Sequence, residues 1–145
     1  GIRLIATGDF TDEDTLDALG DIALGVINAG HYSEAHASKE NKSFVEAYSR
    51  FFPKDRPNFM AVAGYDGMQL IAETLKRTGG SAEADKFVDG AKGLRWNSPR
   101  GPISLDPATR DIVQTVYIRR VEKLAGRLQN VEFDSVAEVR DPGKP

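Results

Sequence analysis

The sequence predicts an α/β fold that combines a βαβ unit, three helices and a C-terminal β-hairpin. Three observations carry this prediction. Residues 2–28 follow the order strand, helix, strand; apolar residues then repeat at helical spacing; and a run rich in β-branched residues at 112–124 reverses at Ala125 and Gly126. With 145 residues, 40% of them apolar, the chain can bury a core without disulfides or a structural metal.

The βαβ unit begins with an apolar run at residues 2–6, which predicts a buried strand that ends in the turn 7–9. Thr11 is the predicted N-cap of the next helix, because its hydroxyl and the Asp14 carboxylate form a capping-box pattern. Residues 24–27 are the predicted second strand, parallel to the first. The predicted buried face of the helix consists of Leu16, Leu19, Ile22 and Ala23.

Three amphipathic helices are predicted in the middle of the chain. The first contains residues 44–52 and ends at Pro53, and the second begins after Pro57 and ends at residues 79–80. Ser81 is the predicted cap of the third. The predicted inward-facing residues are Met60, Ala63, Gly64, Gly67, Met68, Ile71 and Leu75 in the second helix and Phe87, Val88 and Ala91 in the third.

The last third of the chain changes from helical spacing to strand patterns. Residues 96–102 are rich in turn formers, and 103–105 are predicted to form a short strand. Residues 112–124 and 127–131 are the two predicted strands of the terminal hairpin.

Composition and charge argue against several classes of partner. The net charge is −3, and the basic residues do not cluster as a nucleic-acid surface requires. No apolar run approaches the roughly 20 residues that span a membrane. The absence of cysteine excludes disulfides and thiolate chemistry, but it fits either the periplasm or the cytosol. We therefore expect neither nucleic-acid binding nor direct membrane insertion.

The usual catalytic and metal-binding motifs are absent from the sequence. His31 and His36 could be metal ligands, but a solvated pair is the favoured interpretation because no third ligand completes a site. Asp9 could act with Asp12 or Asp66 as a general acid and base, although no pattern indicates a raised pKa. We therefore expect neither an enzyme nor a protein that holds a metal or cofactor.

The turn at residues 7–11 is the candidate binding element that remains. It follows a predicted parallel strand and precedes a helix N-terminus, where ligands of α/β sheets commonly bind. On pattern alone, a capped turn without a ligand is the favoured interpretation. Tyr65 is similarly ambiguous, because it could be a core residue or could present its hydroxyl to a cleft beside Asp66.

Several segments in order resemble one family, the type I periplasmic solute-binding proteins of ABC transporters, in the branch that binds leucine, isoleucine and valine. The resemblance implies two lobes that close on a ligand, and it implies that this chain is the C-terminal part, crossing between lobes near residues 25–32 and 104–112. The first lobe's sheet and the signal peptide would then be missing. The segments that carry the resemblance are 20–27, 32–33, 41–48, 63–68 and 98–107.

The resemblance also implies which residues contact the ligand. The turn at 7–11 would hold a polar group, and Asp9 would pair with the ammonium of an amino acid; alternatively, Phe10 would pack against an aromatic acid. The other lobe would contribute residues near the start of the middle helix. The resulting candidate ligand-binding residues are Gly8, Asp9, Phe10, Thr11, Met60, Ala63 and Tyr65.

The resemblance therefore implies a periplasmic binding component of an ABC importer. Its ligand would be an amino acid or a small aromatic carboxylate, and its partner would be the ABC permease. The alternatives are a ligand-sensing domain of a regulator on the same fold and, as a third hypothesis, an enzyme. We also expect the truncated chain to self-associate through uncovered apolar faces.

Overall fold

The computed structural model describes residues 3–144, which form six strands and four α-helices. The strands are β1 (Ile5–Thr7), β2 (Ile27–Gly30), β3 (Arg95–Ser98), β4 (Gly101–Leu105), β5 (Ile112–Leu124) and β6 (Arg127–Val139). The helices are α1 (Glu13–Leu19), α2 (Lys39–Phe51), α3 (Phe59–Arg77) and α4 (Ala84–Ala91), and short 3₁₀ turns lie at Gly8–Thr11 and Gly20–Ala23. The predicted βαβ unit, three helices and terminal hairpin are all present.

The long strand β5 organises the whole sheet. Strand β6 pairs with it in antiparallel register along nearly its full length. On its other edge, β5 pairs with β2 through residues 117–120 and with β4 through residues 112–114. Strand β1 extends the sheet by pairing in parallel with β2, and β3 extends it by pairing with β4. Two separate groups of strands therefore attach to different parts of β5.

Most of the buried apolar residues form two separate clusters. The first lies between α1, the segment that leads from α1 into β2, and the β5–β6 hairpin. The second lies between the loop after β2 and helices α2 and α3. Burial of each large apolar side chain contributes roughly 1.5–3 kcal/mol. The first cluster contains Leu16, Ala23, Val26, Val121 and Leu128. The second contains Tyr32, Phe44 and Val62.

The start of α1 differs from the prediction. The N-cap is Asp12, not Thr11, and neither it nor the preceding turn makes a side-chain cap hydrogen bond. The Thr11 hydroxyl instead donates to Oδ1 of Asn130 on β6, at 3.2 Å. The capping-box prediction is therefore wrong, because a buried partner from distant sequence uses the hydroxyl that would have capped the helix.

The helix also ends earlier than predicted, and the next strand starts later. Gly20 has a φ of 62°, which ends α1 at Leu19 and leads into a 3₁₀ turn. As a result Ile22 is exposed instead of buried. Strand β2 occupies Ile27–Gly30 rather than residues 24–27.

The parallel pairing of the first two strands is confirmed, but β1 is not a buried strand. Ile5 is 80% exposed, because β1 lies at the edge of the sheet and pairs only with β2 among the described residues. Ile2, which the prediction also placed in this strand, lies outside the described residues.

The positions of the middle helices are confirmed, but the predicted buried face of α3 is wrong. Met60 and Met68 are 68% and 66% exposed, whereas the buried residues of α3 are Val62, Asp66 and Thr74. Apolar spacing misses this face because two of its three residues are polar. The third helix begins after Glu83 instead of at Ser81, and its Val88 is 40% exposed.

The turn-rich segment before the terminal hairpin is itself a hairpin. Strands β3 and β4 pair from Arg95 with Ser104 to Ser98 with Gly101, and residues 99–100 form the turn. Proline and glycine lie in and beside the two-residue turn. Because both residue types favour turns, the sequence pattern predicted one longer loop in place of two short strands. The second strand of the terminal hairpin, β6, continues to Val139 instead of stopping near residue 131.

Candidate ligand-binding site

A cavity of about 390 Å³ lies where the carboxyl ends of the parallel strands β1 and β2 meet. The turn after β1, the end of β2 with its following loop, the first residue of α3 and one residue of β5 contribute to it. The lining residues are Thr7, Gly8, Asp9, Asp12, Ala29, Gly30, His31, Tyr32, Phe59 and Arg119. This is the position at which α/β sheets commonly bind ligands.

Arg119 supplies the positive charge of the cavity. It projects from β5 and is only 3% exposed. Its Nε donates to Oδ1 of Asn28 at 2.6 Å, and its Nη1 donates to the backbone carbonyl of Tyr32. Burial lowers the pKa of Arg119, while the carboxyl groups of Glu13 and Asp12 oppose this shift.

Two glycines make room for this guanidinium. A Cβ built at Gly8 would lie 2.7 Å from Nη2 of Arg119, and a Cβ at Gly30 would lie closer still. Even the 2.7 Å distance at Gly8 is shorter than the contacts that Cβ atoms make in real structures. The two positions therefore require glycine as long as Arg119 keeps its place.

Aromatic rings form another part of the lining. The rings of His31 and Phe59 meet edge to face, with centroids 5.9 Å apart and planes at 79°. Burial, together with the positive charges of Arg100 and Arg119, lowers the pKa of His31 to about 4. His31 is therefore a neutral aromatic ring at pH 7 and not a cation.

Two adjacent acids lie at the cavity: Asp12 is part of the lining, and Glu13 is not. Glu13 is buried, and its Oε1 accepts hydrogen bonds from the backbone N–H of Glu34 and from Nδ2 of Asn130, at 3.1 and 3.3 Å. Burial raises the pKa of Glu13 to about 7 and also raises the pKa of Asp12. The negative charge of this pair at neutral pH is therefore smaller than two carboxylates would give.

Tyr32 joins the cavity to the second apolar cluster. Its ring meets the edge of Phe44 at a centroid distance of 6.2 Å, and its hydroxyl has no hydrogen-bond partner among residues 3–144. Burial and the negative charge of Glu13 raise the pKa of Tyr32. The hydroxyl is therefore a neutral polar group at all ordinary pH values.

The structure brings only some of the predicted ligand-binding residues to this cavity. Gly8 and Asp9 line it, but Phe10 is half exposed outside the lining and Thr11 is buried against Asn130. The residues predicted from α3 are exposed and lie outside the lining: Met60, Ala63 and Tyr65. Whether these residues contact a ligand stays a prediction.

Sequence reasoning missed several of the lining residues for identifiable reasons. His31 directly follows β2, so the strand-end rule would have found it had β2 been placed correctly. Phe59 precedes the predicted contact segment by one residue. The sequence indicated Arg119 only weakly, as a charged residue within a run rich in β-branched residues. Its burial depends on β2, which pairs with β5 beside it.

The interpretation of the two histidines as a solvated pair is wrong. His31 lies in the cavity wall, and Nδ1 of His36 is 2.9 Å from Oε2 of Glu132, with the imidazole ring against Tyr117. Within residues 3–144, no three His, Asp or Glu side chains gather as metal ligands would. The helices of this part of the chain are also all too short or too polar to span a membrane.

Comparison with known proteins identifies relatives over the whole chain. A family model described as periplasmic binding protein matches residues 1–127. A Leu/Ile/Val-binding protein homolog 6 from Brucella abortus is 43% identical over 145 residues. That match covers 99% of this chain but 37% of the relative, so the chain spans little more than a third of the length of the curated relatives it matches.

Solved structures of related proteins also match the chain. A solute-binding protein of an ABC transporter from Rhodopseudomonas palustris BisB5, in complex with 3,4-dihydroxybenzoic acid, is 55% identical with a TM-score of 0.96. The match covers 100% of this chain and 40% of that one. A solute-binding protein from R. palustris HaA2, in complex with p-hydroxybenzoic acid, is 40% identical with a TM-score of 0.92, covering 99% of this chain and 39% of that one.

These matches confirm the family resemblance and the α/β fold predicted from the sequence. The family model covers most of the chain, and the two solved relatives share its fold across almost every residue. The chain belongs to the periplasmic binding protein family.

Proposed function

We propose that this chain is part of the substrate-binding component of an ABC importer, and that the component binds a small aromatic carboxylate without changing it chemically. The chain spans 37–40% of its relatives, so the working unit is a protein of their length, called the full-length protein below. Its proposed location is the periplasm, and its proposed partner is the ABC permease.

The cavity at the ends of β1 and β2 is the observation that carries this proposal. Its volume of about 390 Å³ lies within the usual range for small-ligand sites. The rings of His31 and Phe59 offer apolar edges to an aromatic ligand, and Arg119 offers positive charge to an acid. The relatives solved with 3,4-dihydroxybenzoic and p-hydroxybenzoic acid support an aromatic acid as the ligand class.

The proposed mechanism is closure of two lobes on the ligand, with binding shifting the population toward the closed state. Two features support a two-lobed arrangement. The apolar residues form two separate clusters, and β5 carries β2 and β4 at different parts of its length. The crossings between lobes near residues 25–32 and 104–112 remain part of this proposal.

An amino acid is the alternative ligand, and Asp9 distinguishes the two classes. Asp9 lines the cavity and is exposed. Its carboxylate would attract the ammonium of an amino acid but would repel an aromatic carboxylate placed beside it. The effect of removing this charge therefore reports the ligand class.

Isothermal titration of the full-length protein tests the proposal. The panel contains benzoate, 4-hydroxybenzoate and 3,4-dihydroxybenzoate, with leucine, isoleucine and valine as the second class. We expect binding of the aromatic acids, and we expect Asp9→Asn to leave their affinity unchanged within about 3-fold or to strengthen it, because an exposed like charge is largely screened. Asp14→Asn is the matched control, since Asp14 is an exposed acid outside the cavity lining.

Other results would overturn this assignment. Binding of amino acids that Asp9→Asn clearly weakens would assign the site to the amino-acid class, because the variant removes the carboxylate that pairs with the ammonium. No binding by either class would contradict the import proposal. Recovery of chemically altered ligand would point to an enzyme. Permease and ATPase genes beside this gene would favour import over a regulatory domain.

A further inference from the structure

Three arginines are buried in the described part of the chain, and they differ in their partners. Arg56, Arg100 and Arg119 are 5%, 7% and 3% exposed. Arg56 pairs with Glu34 at 2.8 Å, and Arg100 pairs with Asp66 at 2.7 Å. Arg119 has no carboxylate oxygen within 4 Å among residues 3–144. It is also the one buried arginine that lines the cavity between β1 and β2.

The neutral partners of Arg119 orient its guanidinium without balancing its charge. Nε donates to the amide oxygen of Asn28, and Nη1 donates to the carbonyl of Tyr32. The hydrogen bonds made within residues 3–144 leave Nη2 without an acceptor. A buried charge is costly unless it is paired, so this site favours an anion that completes it.

The Nη2 atom lies beside two glycines of the cavity lining. The atom lies on the side of Gly8 and Gly30 where their side chains would stand if either residue had a Cβ. Both glycines line the cavity, as does Arg119 itself. The unused donor therefore lies against two residues of the cavity lining, and neither of them has a side chain that would displace it.

We propose that Nη2 of Arg119 binds the carboxylate of the aromatic ligand and makes Arg119 the residue that selects acids over their neutral analogues. This inference rests on the proposed function, because it assigns the acid group of that ligand to one atom of the site. A guanidinium is well suited to this task, since it stays charged and each of its free N–H groups can donate a charge-assisted hydrogen bond to a carboxylate oxygen.

The acids in the cavity lining do not cancel this attraction. Asp9 is exposed, so water and salt screen its repulsion of a ligand carboxylate. Asp12 is buried, and burial raises its pKa. Arg119 is buried, and a charge interaction in a buried site is screened much less.

The test compares 4-hydroxybenzoate with its neutral amide, 4-hydroxybenzamide, by isothermal titration of the full-length protein. We expect the parent protein to bind the acid at least about 30-fold more tightly than the amide. Arg119→Gln should weaken acid binding by about 100-fold and amide binding by less than about 5-fold, because only the acid loses a charge partner.

Two further variants separate ligand recognition from folding. Gly30→Ala keeps the charge of Arg119 but displaces its Nη2, so it should also reduce the acid-to-amide ratio. Arg56→Gln removes a buried arginine that lies outside the cavity lining. It should lower thermal stability and leave the acid-to-amide ratio unchanged.

Equal affinity of the parent protein for the acid and the amide would overturn the inference and leave the proposed function standing. Equal weakening of both ligands by Arg119→Gln would also overturn it, because it would show a structural role only. If Arg119→Gln does not fold, the parent ratio and Gly30→Ala decide the question. If the parent binds neither compound nor the other aromatic acids, the proposed function itself fails, and this inference with it.

Discussion

Asn130 shows how single buried side chains position the cavity wall. Its Nδ2 donates to the carbonyl of Thr11 at 2.7 Å, and its Oδ1 accepts from Nδ2 of Asn28 at 2.9 Å. These bonds tie the turn after β1 and the end of β2 to β6. Asn28 in turn accepts from Arg119, so one buried network holds the guanidinium in place.

Glu13 belongs to the same buried network and makes stability depend on pH. Its pKa is raised from 4.5 to about 7 by burial, so the folded state holds this proton more tightly than the unfolded state. The contribution to stability is complete below pH 4.5, falls as the pH rises toward 7 and is lost above it. At about 1.4 kcal/mol per pKa unit, the loss amounts to about 3 kcal/mol.

Glu13→Gln should therefore flatten the dependence of stability on pH between about 5 and 7, and it should stabilise the full-length protein at pH 8. The glutamine carbonyl can still accept from Glu34 and Asn130. Urea unfolding at several pH values measures the effect, and Asp14→Asn is the control for an exposed acid in the same helix. A Glu13→Gln profile as steep as that of the parent would rule out Glu13 as the source.

At the scale of elements, the backbone conformation of the turn between β5 and β6 indicates a substitution that should stabilise the protein. Ala125 and Gly126 have φ angles of 49° and 83°, the left-handed values that a two-residue hairpin turn requires. Alanine is strained there, whereas asparagine tolerates this conformation. Ala125→Asn should raise the free energy of unfolding by about 0.5–1 kcal/mol, as measured by urea denaturation.

Ala125→Val provides the opposite control for the turn. A β-branched side chain fits a positive φ poorly, so this variant should be less stable than the parent. Equal stability of the asparagine and valine variants would show that the turn does not hold the conformation described.

Helix α3 shows why its boundaries were easier to predict than its contacts. The caps and the glycine pair place the helix correctly, since these signals are local. Asp66 is nevertheless buried, because Nε of Arg100 and Nε1 of Trp96 donate to its carboxylate at 2.7 and 3.3 Å. The β3–β4 hairpin supplies both donors, and apolar spacing in the helix contains no information about it.

At the scale of the whole molecule, the exposed apolar residues predict self-association. One side of α3 exposes Met60, Met68 and Ile71, and β1 exposes Ile5 at the edge of the sheet. Exposed apolar surface of this kind promotes contact between copies. We expect the 145-residue chain by itself to form dimers or larger assemblies in sedimentation experiments, increasingly so at higher concentration.

The double variant Met60→Gln and Met68→Gln tests whether α3 provides the contact. It should reduce assembly relative to the parent chain, because two exposed apolar side chains become polar. Ser49→Gln, an exposed substitution on α2, is the control that should leave assembly unchanged. A parent chain that sediments as a monomer at all concentrations would contradict the prediction.

The sequence by itself determined the α/β class, the positions of α2 and α3, the reversal at residues 125–126 and the family. Periodicity, capping residues and turn formers specify these features locally, and ordered segments such as 20–27 and 98–107 carry the family resemblance. Tertiary structure decided which of the predicted residues line the cavity and which other residues join them. Gly8, Gly30 and Arg119 meet because β2 pairs with β1 on one side and with β5 on the other. Whether a charged side chain is buried depends on such distant segments of the chain, and local sequence patterns do not indicate which segments will cover it.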